Sequence, residues 1–364
     1  MNCRMLNPAK SILSLGGNMK KVLSFSIGAA VVAALALTSC APQAPAGPKK
    51  LVIGASLPTQ REAVWVKGRQ AMEKAAEAAG IILKVQSADA DAAQQATQVD
   101  SLLSQGIQAL ILAPADATTA AAMANKAAAQ KVPVISYDRL ILDTPNIALY
   151  VSFDNVKVGE MQGEWLTKAV PKGNYLIMSG DPGDNNAKLF KQGAMNVIEP
   201  LVKKGDIKII GDQAVANWLP SNALTIVEQA LTANKNKINA ILAPNDGTAG
   251  GAIQALEAQK LAGKVAVTGQ DAEVAGLKRI IAGTQGMTVF KDNRKEAEAS
   301  VAAAVALAQG QPVSAITFGG VSANQTVNNG SIDVPSLLLA PEVITKANVQ
   351  DVVNSGYVTA AQLQ

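Results

Sequence analysis

The 364-residue chain is too long for one ordinary domain, and with 49% apolar residues it can build a sizeable core in each of two. It contains no histidine, which removes Ser-His-Asp and Cys-His catalysis and every His-containing metal site. The formal charge of +4 comes from Arg4, Lys10, Lys20 and Lys21; without these four the 32 basic residues fall to 28, equal to the 28 acidic ones. A balanced chain with no basic run carries no electrostatic footprint for nucleic acid.

In chain order, Met19-Lys20-Lys21 supplies a short positive region, and Val22 to Thr38 is apolar with small residues near its end. This reads as a signal peptide over 1–39, with Met19 as the start and the preceding residues as an upstream extension. A single membrane-spanning anchor is the competing reading, because the apolar stretch approaches spanning length. The sequence Leu37-Thr38-Ser39-Cys40 decides between them: it resembles the bacterial lipobox, which is cut before the cysteine so that the new N-terminal thiol is acylated. Residues 40–48 then form a tether, since three prolines between Ala41 and Pro48 favour an extended chain. Cys3 and Cys40 are the only cysteines, so the folded body has no disulfide.

From Lys49 the chain cycles through strand, turn and helix. Short β-branched runs recur at 51–56, 81–86, 109–113, 132–137, 148–153, 174–179, 207–211, 238–243, 265–269 and 287–290. Most are continuously apolar, as strands buried on both faces are, and Ala-rich helical stretches separate most of them. In the first helix Val64, Gly68, Ala71, Met72, Ala75 and Ala79 form an apolar stripe, with Trp65 beside it and Gly80 ending the helix. Alternation of this kind implies an α/β protein with doubly wound parallel sheets and right-handed crossovers. The break at 138–147 points to two lobes joined near residue 150 by a hinge. The expected division is 49–152 with 291–320 in one lobe and 153–290 with 321–364 in the other, the tail after 310 being irregular.

Ligands of open α/β sheets bind beyond the carboxyl ends of the strands. The residues falling there are Arg61, Trp65, Asp138, Arg139, Asp184, Asn186, Trp218, Asn245, Asp271 and Lys291. Indoles can cover the C–H faces of a pyranose, while carboxylates, amides, arginine and lysine pair with hydroxyls. Several carboxylates converging on one cleft suit an anion poorly. Structural roles compete for each residue. Asp184, Asn245, Asp246 and Asp271 precede helices and could be N-caps. Asp138 and Arg139 could pair locally, Lys291 could be solvated, and Trp218, just before Pro220, could cover a sheet edge. There is neither a P-loop nor a dinucleotide fingerprint, and no carboxylate pair stands out as that of a glycosidase.

The body resembles the type I periplasmic sugar-binding proteins, nearest to their D-xylose-binding branch. The stretches that carry the resemblance include SYDRLI (136–141), YVSFDNVKVGEMQ (150–162), DNNAKLFKQGAM (184–195), NDGTAGGAIQAL (245–256), GKVAVTGQDAEVAGLKRI (263–280) and GTQGMTVFK (283–291). It implies two lobes closing over an inter-lobe sugar cleft, no catalysis and no cofactor. Its sugar-binding positions carry over to Trp65, Asp138, Arg139, Asp184, Asn186, Trp218, Asn245, Asp271 and Lys291, with Arg61 matching a nearby arginine. The implied partners are a monosaccharide, an ABC permease with its separate ATPase subunit, and a membrane reached through the lipid on Cys40. Val64 departs from the pattern, because xylose binders usually carry arginine there, so D-glucose or another aldopyranose stays open as the ligand. A receptor role in chemotaxis or two-component sensing would use the same trap. A sugar-responsive repressor would need a helix-turn-helix where this chain has its signal and tether.

Overall fold

The computed structural model describes residues 50–364; the signal, lipobox and tether expectations all lie outside them. The first sheet begins with β1 (Val52–Leu57), α1 (Ala63–Ala78), β2 (Ile82–Ser87) and α2 (Ala92–Ser104). It continues through β3 (Ala109–Leu112), α3 (Ala120–Ala129), β4 (Val134–Tyr137) and β5 (Leu149–Phe153). The second region runs through α4 (Asn155–Ala169), β6 (Gly173–Ser179), α5 (Asn185–Lys203), β7 (Ile207–Ala214) and α6 (Pro220–Ala233). It is completed by β8 (Ala240–Leu242), α7 (Asp246–Ala258), β9 (Ala266–Val267), α8 (Val274–Ala282) and β10 (Thr288–Phe290). All ten strands expected from the apolar runs are present, and those of each main sheet pair in parallel.

The remainder comprises α9 (Asn293–Ala308), β11 (Thr317–Phe318), β12 (Val321–Ser322), β13 (Gln325–Asn328), β14 (Asp333–Leu339), β15 (Glu342–Ile344), α10 (Val349–Asn354) and α11 (Ala360–Leu363). Here the expected division needs correction. The first sheet has seven strands in the order β13-β14-β5-β4-β3-β1-β2, so the stretch 325–339 belongs to the first lobe. The apolar run Leu337-Leu338-Leu339 lies parallel to Val151-Ser152-Phe153, where it fills the open edge beside β5. Only afterwards does the chain return, as β15 pairs antiparallel with β10. The second sheet runs β7-β6-β8-β9, and a bridge from Gln270 to Val289 links it to β10. The chain therefore passes between the lobes three times: after β5, after β10 and after β14.

Buried clusters cover both faces of each sheet. On the first, Ile53, Ile111, Ile135 and Val151 meet α1 and α9, while Leu110, Val134 and Tyr150 meet α2 and α3. On the second, Leu176 and Ile241 face α6 and α7, while Tyr175 and Ile177 face α4 and α5. The α4–α5 contact depends on missing side chains. A Cβ at Gly159 would lie 1.9 Å from the Phe190 carbonyl oxygen, and one at Gly193 would lie 1.9 Å from that of Val156. This backbone-to-backbone approach fixes the start of α5, where Asp184 and Asn186 stand. In α1 the buried stripe is Trp65, Gly68, Met72 and Ala76, so Trp65 lies on it rather than beside it, and Val64 is only partly buried.

Candidate functional site

The carboxyl ends of the strands of both lobes open onto one cavity of about 590 Å3, its mouth included. Nine of the ten sequence-predicted binding residues line it, with Val64. The first lobe supplies Val64 and Trp65 from the first turn of α1 and Asp138 and Arg139 from the turn after β4. The second supplies Asp184, Asn186, Trp218, Asn245 and Asp271, and Lys291 sits on the crossing between β10 and α9. Arg61 is the exception. It is exposed, its guanidinium donates to the Asp89 carbonyl at 3.0 Å, and it lines a separate depression at the cleft's outer edge. It precedes α1 on a loop that turns toward β2 instead of into the cavity.

Polar contacts join the two rims. Arg139 Nε approaches Asp184 Oδ2 at 2.8 Å, close enough for an ion pair although the N–H is poorly aligned for a hydrogen bond. Asn186 Nδ2 donates to the Asp138 carbonyl at 2.9 Å and to its Oδ1 at 3.2 Å. The same carbonyl accepts from the Tyr150 and Ser152 hydroxyls, which holds Asp138 at a positive φ of 57°. Lys291 Nζ lies 3.8 Å from Asp138 Oδ2 and 3.7 Å from Asp271 Oδ1. Burial alone would lower the Lys291 pKa, but Asp138, Asp271 and Glu296 together hold it above the ordinary lysine value.

The competing structural roles can now be assigned. Asp184 and Asn245 are N-caps of α5 and α7, and both also line the cavity. Asp271 caps nothing; the residue before α8 is Glu273. Asp246 is not the cap of α7 but lies in its first turn, buried, accepting from Gln285 Nε2, the Glu273 N–H and the Thr288 hydroxyl. Asp138 and Arg139 pair with other partners, and Lys291 is 7% exposed and so not a solvated charge. Trp218 sits beside Gly180, where a Cβ would fall 2.0 Å from the indole ring, so only glycine admits the ring there. Trp65 meets Tyr137 edge-on at 6.3 Å, with the Arg139 guanidinium 5.1 Å from its ring centre. The cavity also takes Glu62, Tyr137, Phe190, Gln270, Asn293 and Glu296, which the strand-end argument missed. Gln270, next to Asp271, was within reach of that argument; the others sit on helix starts or under the rim, where nothing in the pattern marks them.

The periplasmic binding protein domain matches residues 53–312 of this chain. The chain belongs to the periplasmic binding protein family. It is 46% identical over 316 residues to the D-xylose-binding periplasmic protein of Escherichia coli, covering 86% of this chain and 93% of that one. A solute-binding protein from Chloroflexus aurantiacus in complex with D-glucose is 35% identical with a TM-score of 0.80, covering 86% of this chain and 98% of that one. An ABC transporter solute-binding protein from Clostridium phytofermentans with bound β-D-glucose is 31% identical with a TM-score of 0.78, covering 86% and 100%. The family is exported and binds solutes without transforming them, so the chain is not an enzyme. Among the described residues no helix is long and apolar enough to cross a membrane, and no cluster of side chains is suited to a metal.

The chain buries carboxyl groups near its cleft, and they cost stability when ionised. Burial, helped by Glu273, pushes Asp246 up to about 8. Burial, helped by Asp271, pushes Glu273 to about 7. Burial, opposed by Lys291 and helped by Asp138, pushes Asp271 to about 6. Each folded-state pKa exceeds the unfolded one, so between them the folded form binds more protons and stability falls as pH rises. The expected outcome is a thermal midpoint that decreases from pH 5 to pH 8.5 in sugar-free buffer. A midpoint that stays flat across this range would show that the three carboxyls ionise at ordinary values.

Proposed function

We propose that this chain captures a monosaccharide, D-xylose or an aldopyranose with the same C2–C4 hydroxyl arrangement, and delivers it to an ABC importer. The observation that carries the reading is a cavity pairing two indoles with buried polar atoms that have no partner within the protein. Trp218 Nε1, Gln270 Oε1 and Glu62 Oε2 are such atoms. Buried polar groups without partners are rare and costly, and sugar hydroxyls, which donate and accept, suit them. The xylose-binding and glucose-bound relatives support the same ligand class.

In this reading the sugar bridges the two rims, with Trp65 and Trp218 over its apolar faces. Lys291, Asp138 and Asp271 lie within reach of one set of hydroxyls, and Arg139, Asn186 and Asn245 within reach of the rest. Asp184 orients Arg139, because one of its oxygens caps α5 and the other faces the guanidinium. Contacts available only when both lobes meet the sugar favour the closed form, which the permease then recognises. ATP hydrolysis belongs to a separate subunit. Val64 sets how well the wall tolerates the hydroxymethyl group of glucose. Export follows from the signal peptide, and acylation of Cys40 holds the protein at the membrane.

Calorimetric titration with D-xylose and D-glucose tests the ligand class. Trp218→Ala should lose about 1–3 kcal/mol of binding, by analogy with other aromatic stacking sites, while cooperative unfolding persists. Unchanged affinity with lowered stability would reduce Trp218 to structural cover. Val64→Arg should raise the xylose-to-glucose affinity ratio, since a charge-assisted donor contributes about 1.5–3 kcal/mol and takes up space; an unmoved ratio removes Val64 from the specificity wall. For the anchor, the mass of the membrane-extracted protein should correspond to a chain beginning at an acylated Cys40, and an unmodified cysteine there would end the lipoprotein reading.

A further inference from the structure

The first turns of α9 hold a group that the sugar reading has not used. Glu296 is 1% exposed and lines the cavity, and its buried Oε1 has no hydrogen-bond partner within the protein. The ordinary structural explanations for an acid near a helix start do not apply. The N-cap of α9 is Asp292, whose own side chain accepts from the Arg294 N–H. Among the described residues no basic side chain lies within ion-pair distance of Glu296. Asn293, one turn earlier, is held at both ends of its amide: its Nδ2 donates to the Val64 carbonyl and its Oδ1 accepts from the Tyr357 hydroxyl at 3.0 Å. The first bond ties α9 to the first turn of α1, and the second ties it to the segment after α10. Glu296 is thereby fixed on the same first-lobe wall as Val64 and Trp65, which also line the cavity.

Asp138 and Asp271 face the ammonium group of Lys291, Glu296 lines the same cavity, and the three carboxyls cannot all ionise cheaply out of water. Burial, helped by Asp138 and Asp271 and opposed by Lys291, keeps the Glu296 proton on well beyond the usual carboxylate range. A neutral carboxylic acid has one O–H donor and an acceptor oxygen, and a sugar hydroxyl has the matching pair. A simple anion would satisfy only the hydroxyl's donor side.

We propose that Glu296 is a further specificity-determining residue, which pairs with one hydroxyl of the bound sugar from the first-lobe wall and so helps set which hydroxyl pattern the cavity accepts. The proposal rests on the sugar reading of the site. The clamp, Asn293, and the reader, Glu296, stand on one helix, and both line the cavity with Val64.

The test is calorimetric titration of wild type, Glu296→Gln and Glu296→Leu with D-xylose, D-glucose and the monodeoxy analogues of each. Glu296→Gln keeps a donor and an acceptor at nearly the same size and should stay within about fivefold of wild type, whereas Glu296→Leu should lose about ten- to a hundredfold. That loss should disappear for the one deoxy analogue that lacks the hydroxyl facing position 296. If Glu296→Leu binds the parent sugar as wild type does, or loses affinity equally for parent and every analogue, the proposal is overturned and Glu296 is a buried structural acid. Should Glu296→Leu fail to fold, the analogue series on Glu296→Gln decides: an altered preference at one hydroxyl supports the proposal and a uniform response overturns it. A wild type that binds neither sugar overturns the sugar reading and this proposal with it, which separates the two failures.

Discussion

Lys291 keeps a positive charge where burial alone would favour its loss, and the cleft is organised around that constraint. An ammonium removed from water needs carboxylates, and Asp138 from the first lobe and Asp271 from the second face it at 3.8 and 3.7 Å. These distances are longer than a tight ion pair, so the ammonium is shared by the two carboxylates without being locked to either. The carboxylates depend on the lysine in turn, since without it three acids would share a desolvated space. Its position on the β10–α9 crossing makes this balance a property of the segment that joins the lobes.

The backbone delivers these groups through close approaches that tolerate no side chain. Gly159 and Gly193 let α4 and α5 meet at backbone distance, which sets where Asp184 and Asn186 project. Gly180 gives the Trp218 ring its place, and Asn217 and Trp218 both take positive φ to reach it. Non-glycine residues adopt that conformation at a cost, and here it turns an indole into the cavity that an extended chain would have carried past it.

The parallel strands were legible because each is buried on both faces and reads as a continuous apolar run. The strand-end rule then picked out most of the cavity, since a polar residue directly after such a run has few structural reasons to be there. The tail defeated both arguments. Gln325–Asn328 is a polar edge strand, and nothing local says that Val334–Leu339 pairs with a strand almost two hundred residues earlier. Arg61 misled because proximity to a strand end does not fix side-chain direction, and its guanidinium turns to the Asp89 carbonyl. Glu296 was illegible for a different reason. A glutamate in the Ala-rich stretch 293–308 looks like a solvated helix face, and only the packing of α9 against α1 and the first sheet buries it.

Capping and a place in a binding cavity are usually set against each other as explanations for an acid or amide before a helix, yet Asp184 and Asn245 do both. A helix that follows a parallel strand starts at the strand's carboxyl end, so its cap stands at the rim of the crevice. At Asp184 the cap occupies one oxygen and leaves the second to orient Arg139. At Asn245, which lines the cavity, the side-chain oxygen is taken by Thr248, which leaves the Nδ2 donor outside the cap. The cap therefore fixes the rotamer of a group whose other atom lies outside the cap, and the rigidity a binding site needs comes from the same bond that starts the helix. The two-headed side chains, aspartate and asparagine, can serve both, and they recur at these rims for that reason.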